Sequence, residues 1–394
     1  MKSEGVREAT KHQAAAQRLI DLAGRLGPGA KLPRFLELRA ELDVGSATLA
    51  AVLKDLEGRG VIERRHGVGI YVSERLNHRS VVMLCDPAFF SGGEVSPFWD
   101  MLLRHARDGA AERSADLTVH FAPTGARRGK AEEVPVPEPL AREIAAGRVH
   151  GVLGVGLDAL AARWFESQGL PFVAFAGYGA SAVAFDDAAL VRLGVTALAS
   201  RGCRRLALWS SVVAHGIPPS REEVLRRPAV AAFPEALKAC GLPFEPELVR
   251  TNAHLCPEEP LRECGQEWSI PSQQEQGRRA ARAVFGPDAD PRLRPDGIVC
   301  TDDSMTQGAL PQLARYGVGI GSEVQIATHA NAGSPVLFGY EDLLVRLEVA
   351  PALLVRAMYD RLEAQIEGRA PEVPQVSLPP VLRLPEAEAL SPGS

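Results

Sequence analysis

Residues 60–73 read GVIERRHGVGIYVS, and their interpretation decides the fold of everything around them. Gly67 and Gly69 bracket one valine, with Arg64 and Arg65 just upstream. Such a pair of glycines could cradle a phosphate or form the tip of a hairpin. A phosphate loop leads from a strand into a helix whose N-terminus faces the anion. Here the second glycine leads into IYVS, a β-branched and aromatic run that returns as a strand. VIERR, a glycine-permitted turn at His66-Gly67-Val68, and GIYVS are therefore expected to form a β-hairpin.

Three short helices are expected upstream. From Lys11 to Leu26 apolar residues recur at helical spacing (Ala15, Leu19, Leu22, Ala23, Leu26), and Gly27-Pro28-Gly29 ends the run. Leu32-Pro33 opens a second helix with Leu36, Leu38 and Leu42 as its apolar contacts, and Asp43-Val44-Gly45 turns the chain. A third runs from about Ser46 to Glu57, with Leu49, Val52, Leu53 and Leu56 on one stripe and Ser46, Thr48 and Lys54 off it. Three helices and a hairpin make a winged helix-turn-helix. Its third helix would enter the major groove of DNA, and its hairpin tip would reach the backbone or the minor groove.

Charge agrees with that division. Residues 1–79 hold fourteen Lys and Arg against ten acids, while the remainder holds 30 against 39. A basic head on an acidic body points to an anionic partner for the head alone. At 394 residues the chain exceeds one compact domain. No run approaches the roughly 18 apolar residues of a membrane span, and the opening MKSEGVREATKHQ lacks an apolar core, so neither a span nor a signal peptide is expected. Cys85, Cys203, Cys240, Cys256, Cys264 and Cys300 form no CxxC pair and read as free thiols of a reducing cytoplasm, with no metal site and no disulfides.

LPRFLELRAELDVGSATLAAVLKDLEGRGVIERRHGVGIYV resembles the GntR-type winged helix over roughly residues 10 to 73. The resemblance implies DNA contact by Ser46, Thr48, Lys54, Arg64, Arg65, His66 and Gly67. The chain departs from that pattern at three places. The family usually has Ser where Arg34 stands, Ser-Arg where Gly45-Ser46 stand, and an arginine at the position of Ala50.

After the polar linker the texture changes to apolar strands alternating with amphipathic helices. Strands are expected at 80–85, 116–121, 151–156, 171–176, 181–185, 204–210, 247–250, 296–301 and 323–328. Helices are expected at 96–113, 157–168, 187–201, 273–285, 303–316 and 350–367. Continuous apolar strands separated by helices mean parallel sheets covered on both faces, and the length calls for two α/β lobes. The division expected is a winged-helix domain at 1–73, a linker at 74–79, a two-lobed body at 80–384 and a tail at 385–394.

Several stretches of the body, among them VVMLCDPAFF, VHGVLGVG, AVAFDDAALVRLGVTALASRGCRRLALWS and DGIVCTDDSMTQGALPQLARYGVGIGSEVQIATHAN, resemble the effector-binding part of the LacI/GalR family, itself similar to periplasmic sugar-binding proteins. The resemblance implies a cleft lined from strand ends by Asp86, Phe89, Phe90, Phe98, Trp99, Asp302, His329 and Asn331. Carboxylates and amides there would bond hydroxyls, and an aromatic face would cover the C–H patch of a sugar. Asp187 and Asp303 are expected to cap helices. The arginine that relatives place ahead of the helix around Phe233 has only Arg226 and Arg227 near it, out of register.

Enzyme readings find less support. Gly151, Gly154 and Gly156 do not make GxGxxG, and beyond residue 79 only Lys130 and Lys238 could supply a Schiff-base lysine, neither after a strand. No cofactor is expected. The sequence therefore reads as a non-enzymatic, cytoplasmic one-component transcription regulator, a homodimer on two-fold operator DNA that senses a small polar effector, a sugar or derivative, and represses. The competing reading is a small-molecule-binding protein whose degenerate head does not bind DNA.

Overall fold

The computed structural model describes residues 2–76, 78–90, 96–123, 134–211, 224–251, 272–369 and 372–385, with backbone alone for residues 2–10 and Ala88. Cys256, Cys264, Lys130 and residues 386–394 lie outside these. The chain divides into two compact units. One comprises residues 1–82, 110–118 and 138–150, and the other residues 83–109, 119–137 and 151–394.

In the first unit the helices Lys2–Leu26, Phe35–Leu42 and Ser46–Gly58 precede β1 (Ile62–Arg65) and β2 (Gly69–Val72). Leu49, Val52, Leu53 and Leu56 are buried together with Leu19, Ala23, Leu38, Leu42, Ile62 and Val72, so the stripe expected of the third helix faces the core. The strands pair antiparallel with Arg65 opposite Gly69, and Val68 N–H closes the turn on Arg65 O at 3.0 Å. Gly67 and Gly69 sit at φ of 70° and 144°, backbone conformations that side chains resist. The hairpin reading is correct. Leu36 is a correction: it is 67% exposed. The second helix has only eight residues, and its Leu38 and Leu42, one turn apart, take the core side and leave Leu36 on the other. The first helix also begins nine residues before Lys11.

The α/β remainder is built on two six-stranded sheets. In chain order the strands are β3 (Arg79–Cys85), β4 (Ala115–Phe121), β5 (Gly151–Val155), β6 (Phe172–Phe175), β7 (Ala182–Phe185), β8 (Leu206–Trp209), β9 (Val249–Arg250), β10 (Gly297–Cys300), β11 (Gln325–Asn331), β12 (Leu344–Val349), β13 (Gln375–Leu378) and β14 (Val381–Arg383). One sheet runs β13-β7-β6-β5-β3-β4 and the other β14-β12-β11-β10-β8-β9. The pairings of β5 with β6, β6 with β7, β7 with β13, β9 with β8, β8 with β10, β10 with β11 and β11 with β12 are parallel, and β12 with β14 is antiparallel. Helix Asp187–Ser200 lies on one face of the second sheet with Phe233 and Leu237, while Gln273–Phe285 and Asp303–Arg315 pack on the other around Trp209 and Ile298. β12, β13, β14 and the helix Glu138–Ala145 were not foreseen.

The glycines of GVLGVG serve packing. A Cβ at Gly151 would lie 2.8 Å from Leu362 Cδ1, one at Gly154 2.5 Å from Phe172 Cε2, and one at Gly156 2.0 Å from Phe89 Cε2. Cys85, Cys203 and Cys300 are buried free thiols, pushed up by desolvation to about 12, 11 and 12.

Candidate functional site

In the head, a groove of about 790 Å³ runs beside the wing and is lined by Lys31, Arg34, Arg64, Arg65, His66 and Glu57, among others. The wing arginines are not free cations. Arg64 forks onto Glu57, its Nε donating at 2.8 Å, and this pairing holds the Glu57 carboxyl below the usual carboxylate range. Arg65 donates to Glu63 at 3.2 Å and lays its guanidinium 4.4 Å over the Tyr71 ring, with Lys31 Nζ 5.6 Å from the same ring. His66 and Gly67 form the exposed tip.

On the third helix Lys54 is exposed, Thr48 is half-buried, and Ser46 Oγ accepts from Arg39 at 3.2 Å. Lys31, Arg34 and Arg39 were missed by sequence reasoning. Arg34 stands at the N-cap of Phe35–Leu42, where a guanidinium, a pure donor, cannot accept a backbone N–H. Its side chain is exposed in the groove instead.

In the body, the aromatic candidates come together at the carboxyl ends of the first sheet's strands. Trp99 lies 4.8 Å from Phe89, 5.5 Å from Phe90 and 4.8 Å from Phe98, ring centre to ring centre. The cluster continues through Phe121, Phe175 and Phe185, which the sequence did not single out, and Phe185 lies 6.5 Å from His329 on the second sheet. Phe98 is itself buried, so it supports the cluster from beneath, while Trp99 keeps part of its surface toward solvent. Asp86, buried at the end of β3, holds that strand end to β5 by donating its backbone N–H to Val155 O at 2.9 Å.

The acidic pairs exchange their expected roles. Asp186 and Asp302, not Asp187 and Asp303, cap the two helices, accepting from Ala189 N and Met305 N at 2.8 Å each. Asp303 is buried and accepts from Asn331 Nδ2 at 3.0 Å. The other oxygen of Asp302 accepts from Gln273 Nε2 at 2.6 Å. Asp302 retains a little surface, yet protein surrounds it, and desolvation together with the Asp303 charge pushes its carboxyl up to about 7. Asp187 is solvent-exposed. The surrounding protein raises its pKa, and His329 opposes that rise.

Two atoms facing this set lack partners: His329 Nδ1 and Asn331 Oδ1 are buried without a hydrogen bond. Buried polar groups are ordinarily satisfied, so unpaired ones at strand ends suit a hydroxyl-bearing guest. The arrangement offers an aromatic wall opposite acceptors and amides. No group of three or more His, Cys, Asp or Glu among the described residues is placed to hold a metal ion.

Comparison with known proteins follows the same division. Residues 12–72 match the family described as bacterial regulatory proteins, gntR family, and residues 195–384 match the periplasmic binding protein-like domain. No curated protein matches by sequence. Among solved structures, a regulatory protein of LacI family from Chloroflexus aggregans superposes with TM-score 0.57 at 20% identity, covering 77% of this chain and 96% of its own. The transcriptional regulator CelR in its cellobiose complex gives 0.55 at 19%, covering 86% and 90%. A LacI family transcriptional regulator from Lactobacillus casei with bound sucrose gives 0.51 at 15%, covering 78% and 98%. No described helix is long and apolar enough to cross a membrane.

Proposed function

From a gntR-type head joined to a LacI-like, periplasmic-binding-protein-like body, the architecture of a transcription regulator, we propose that this chain represses transcription in the cytoplasm as a homodimer on two-fold operator DNA. A carbohydrate effector would act from the body. The observation that carries the reading is the aromatic wall of Phe89, Phe90, Trp99 and Phe185 set against the unpaired polar atoms of His329 and Asn331. A sugar presents both surfaces that such a site wants: an apolar C–H face for the rings and hydroxyls for the polar atoms. The cellobiose and sucrose bound to two structural neighbours support this choice.

For DNA, the basic groove offers Lys31, Arg34 and Arg65 to the phosphate backbone, and Ser46, Thr48 and Lys54 lie on the helix that would enter the major groove. Few contacts per head make a single module weak, which is why a dimer on paired half-sites is part of the proposal. Selection from random duplexes, repeated across a panel of sugars, tests both halves. An enriched palindrome released by one sugar is the expected result. Absence of any enriched sequence would leave the alternative, a carbohydrate-binding protein with a silent head. That alternative draws on one observation: Ala47, Ala50 and Ala51 give three positions of the exposed face of the third helix to side chains that cannot read a base.

A further inference from the structure

β8 and β9 end side by side, with Trp209 in register opposite Arg250 and Leu208 opposite Val249. Registered neighbours share a face of the sheet. Trp209 therefore defines the face of Arg250, and it packs with the helices Gln273–Phe285 and Asp303–Arg315. On that face Trp209 Nε1 and Arg250 Nε are both buried, and neither has a hydrogen-bond partner. No carboxylate among the described residues pairs with the half-buried Arg250 guanidinium, and desolvation lowers its pKa.

An indole N–H and a guanidinium can only donate, so the missing partner is an acceptor. A half-buried positive charge with no carboxylate beside it is best compensated by a negatively charged acceptor. We propose that Arg250 and Trp209 form a subsite for an anionic group, a phosphate or a carboxylate, carried by the effector. The inference rests on the effector-sensing reading above and narrows it from sugars to anionic sugars. The subsite adjoins the polar network around Asp302. Ser210 N donates to Arg250 O at 2.9 Å, Thr301 Oγ1 bonds Ser210 Oγ at 3.2 Å, and Gln273 reaches both Ser211 Oγ at 3.3 Å and Asp302.

The test is calorimetric titration of the full chain with hexoses and disaccharides, each beside its phosphate ester and its aldonate. At least one anionic form should bind about tenfold or more tighter than its neutral parent, the strength of a charge-assisted contact. The ester and aldonate arms tell phosphate from carboxylate. Arg250→Gln should erase that gap, and Arg250→Lys should keep part of it. Trp209→Phe, which removes only the N–H, should narrow it a few-fold and serves if Arg250→Gln does not fold. Equal binding of neutral and anionic forms, or a gap that survives Arg250→Gln, overturns the inference while the carbohydrate reading stands. Binding of no carbohydrate of either kind overturns both.

Discussion

Arg64 in the wing and Arg250 in the body carry the same side chain in opposite circumstances. Arg64 is exposed and held by Glu57, whereas Arg250 is half-buried, with a sealed Nε and no partner among the described residues. An exposed ion pair is worth little and opens readily when a stronger anion such as a phosphate arrives. A half-desolvated cation without a counter-ion carries a cost that a guest supplying the acceptor would offset. The head thus keeps its charges in reserve behind weak pairs, and the body keeps its own exposed to need. The two glycines that shape these regions differ in the same way. Gly67 is fixed by backbone angle alone, with open space where a Cβ would go, but Gly308 lies where a Cβ would meet Gln274 O at 1.9 Å.

The largest effect expected is therefore at Gly308. Gly308→Ala should cost about 3 kcal/mol in denaturant titration, since two helix backbones would have to separate, while Gly67→Ala should cost about 1 kcal/mol. Equal costs would end the contrast between a packed body site and a permissive wing. Next, Arg64→Ala with Arg65→Ala should weaken DNA binding and lower the salt slope by up to about two. Binding equal to wild type, with an unchanged slope, would remove the wing from the interface. Glu57→Gln, which loosens the clasp on Arg64, should instead tighten DNA binding and steepen the slope by about one, provided Arg64 is held in reserve.

A pH-dependent effect concerns Asp302. Its folded pKa, about 7, lies above the ordinary carboxylate value, so the folded state holds a proton that the unfolded state has released. Stability from this group is then highest below the unfolded pKa and falls as pH rises through about 7. Asp302→Asn cannot ionise and should flatten that fall in melting curves collected from pH 4 to pH 8. An unchanged profile would assign the slope to other groups.

The head was legible because its rules are local: one apolar stripe at Leu49, Val52, Leu53 and Leu56, and glycines where φ is positive. The body's strand-and-helix alternation was legible for the same reason. Its edges were not. β12 reads LVRLEV, whose Arg346 and Glu348 pair with each other at 3.2 Å while Arg383 of β14 donates to Glu348 at 3.0 Å, a pattern with charges inside the strand. β13 and β14 are only four and three residues long and are flanked by Pro374, Pro379 and Pro380, which disfavour a strand reading. The choice between Asp302 and Asp303 as cap depends on where β10 stops, since two neighbouring aspartates are equally good caps in sequence. Gln273 reaches Asp302 across 29 positions, and Phe185 reaches His329 through sheet topology, so neither contact has a local signature. Arg250 was hidden in a two-residue strand.

The chain passes between the two sheets of the body three times: from β7 into Asp187–Ser200, from β12 into Pro351–Ile366, and from β13 into β14. The last passage is only Pro379-Pro380, whose rings hold φ near about −65°. Three short straps leave a pair of lobes little freedom to slide or twist, so relative motion is confined to a rocking about one line. A stiff strap among them makes that rocking springlike, and a guest bridging Phe185 and His329 would work against a restoring force.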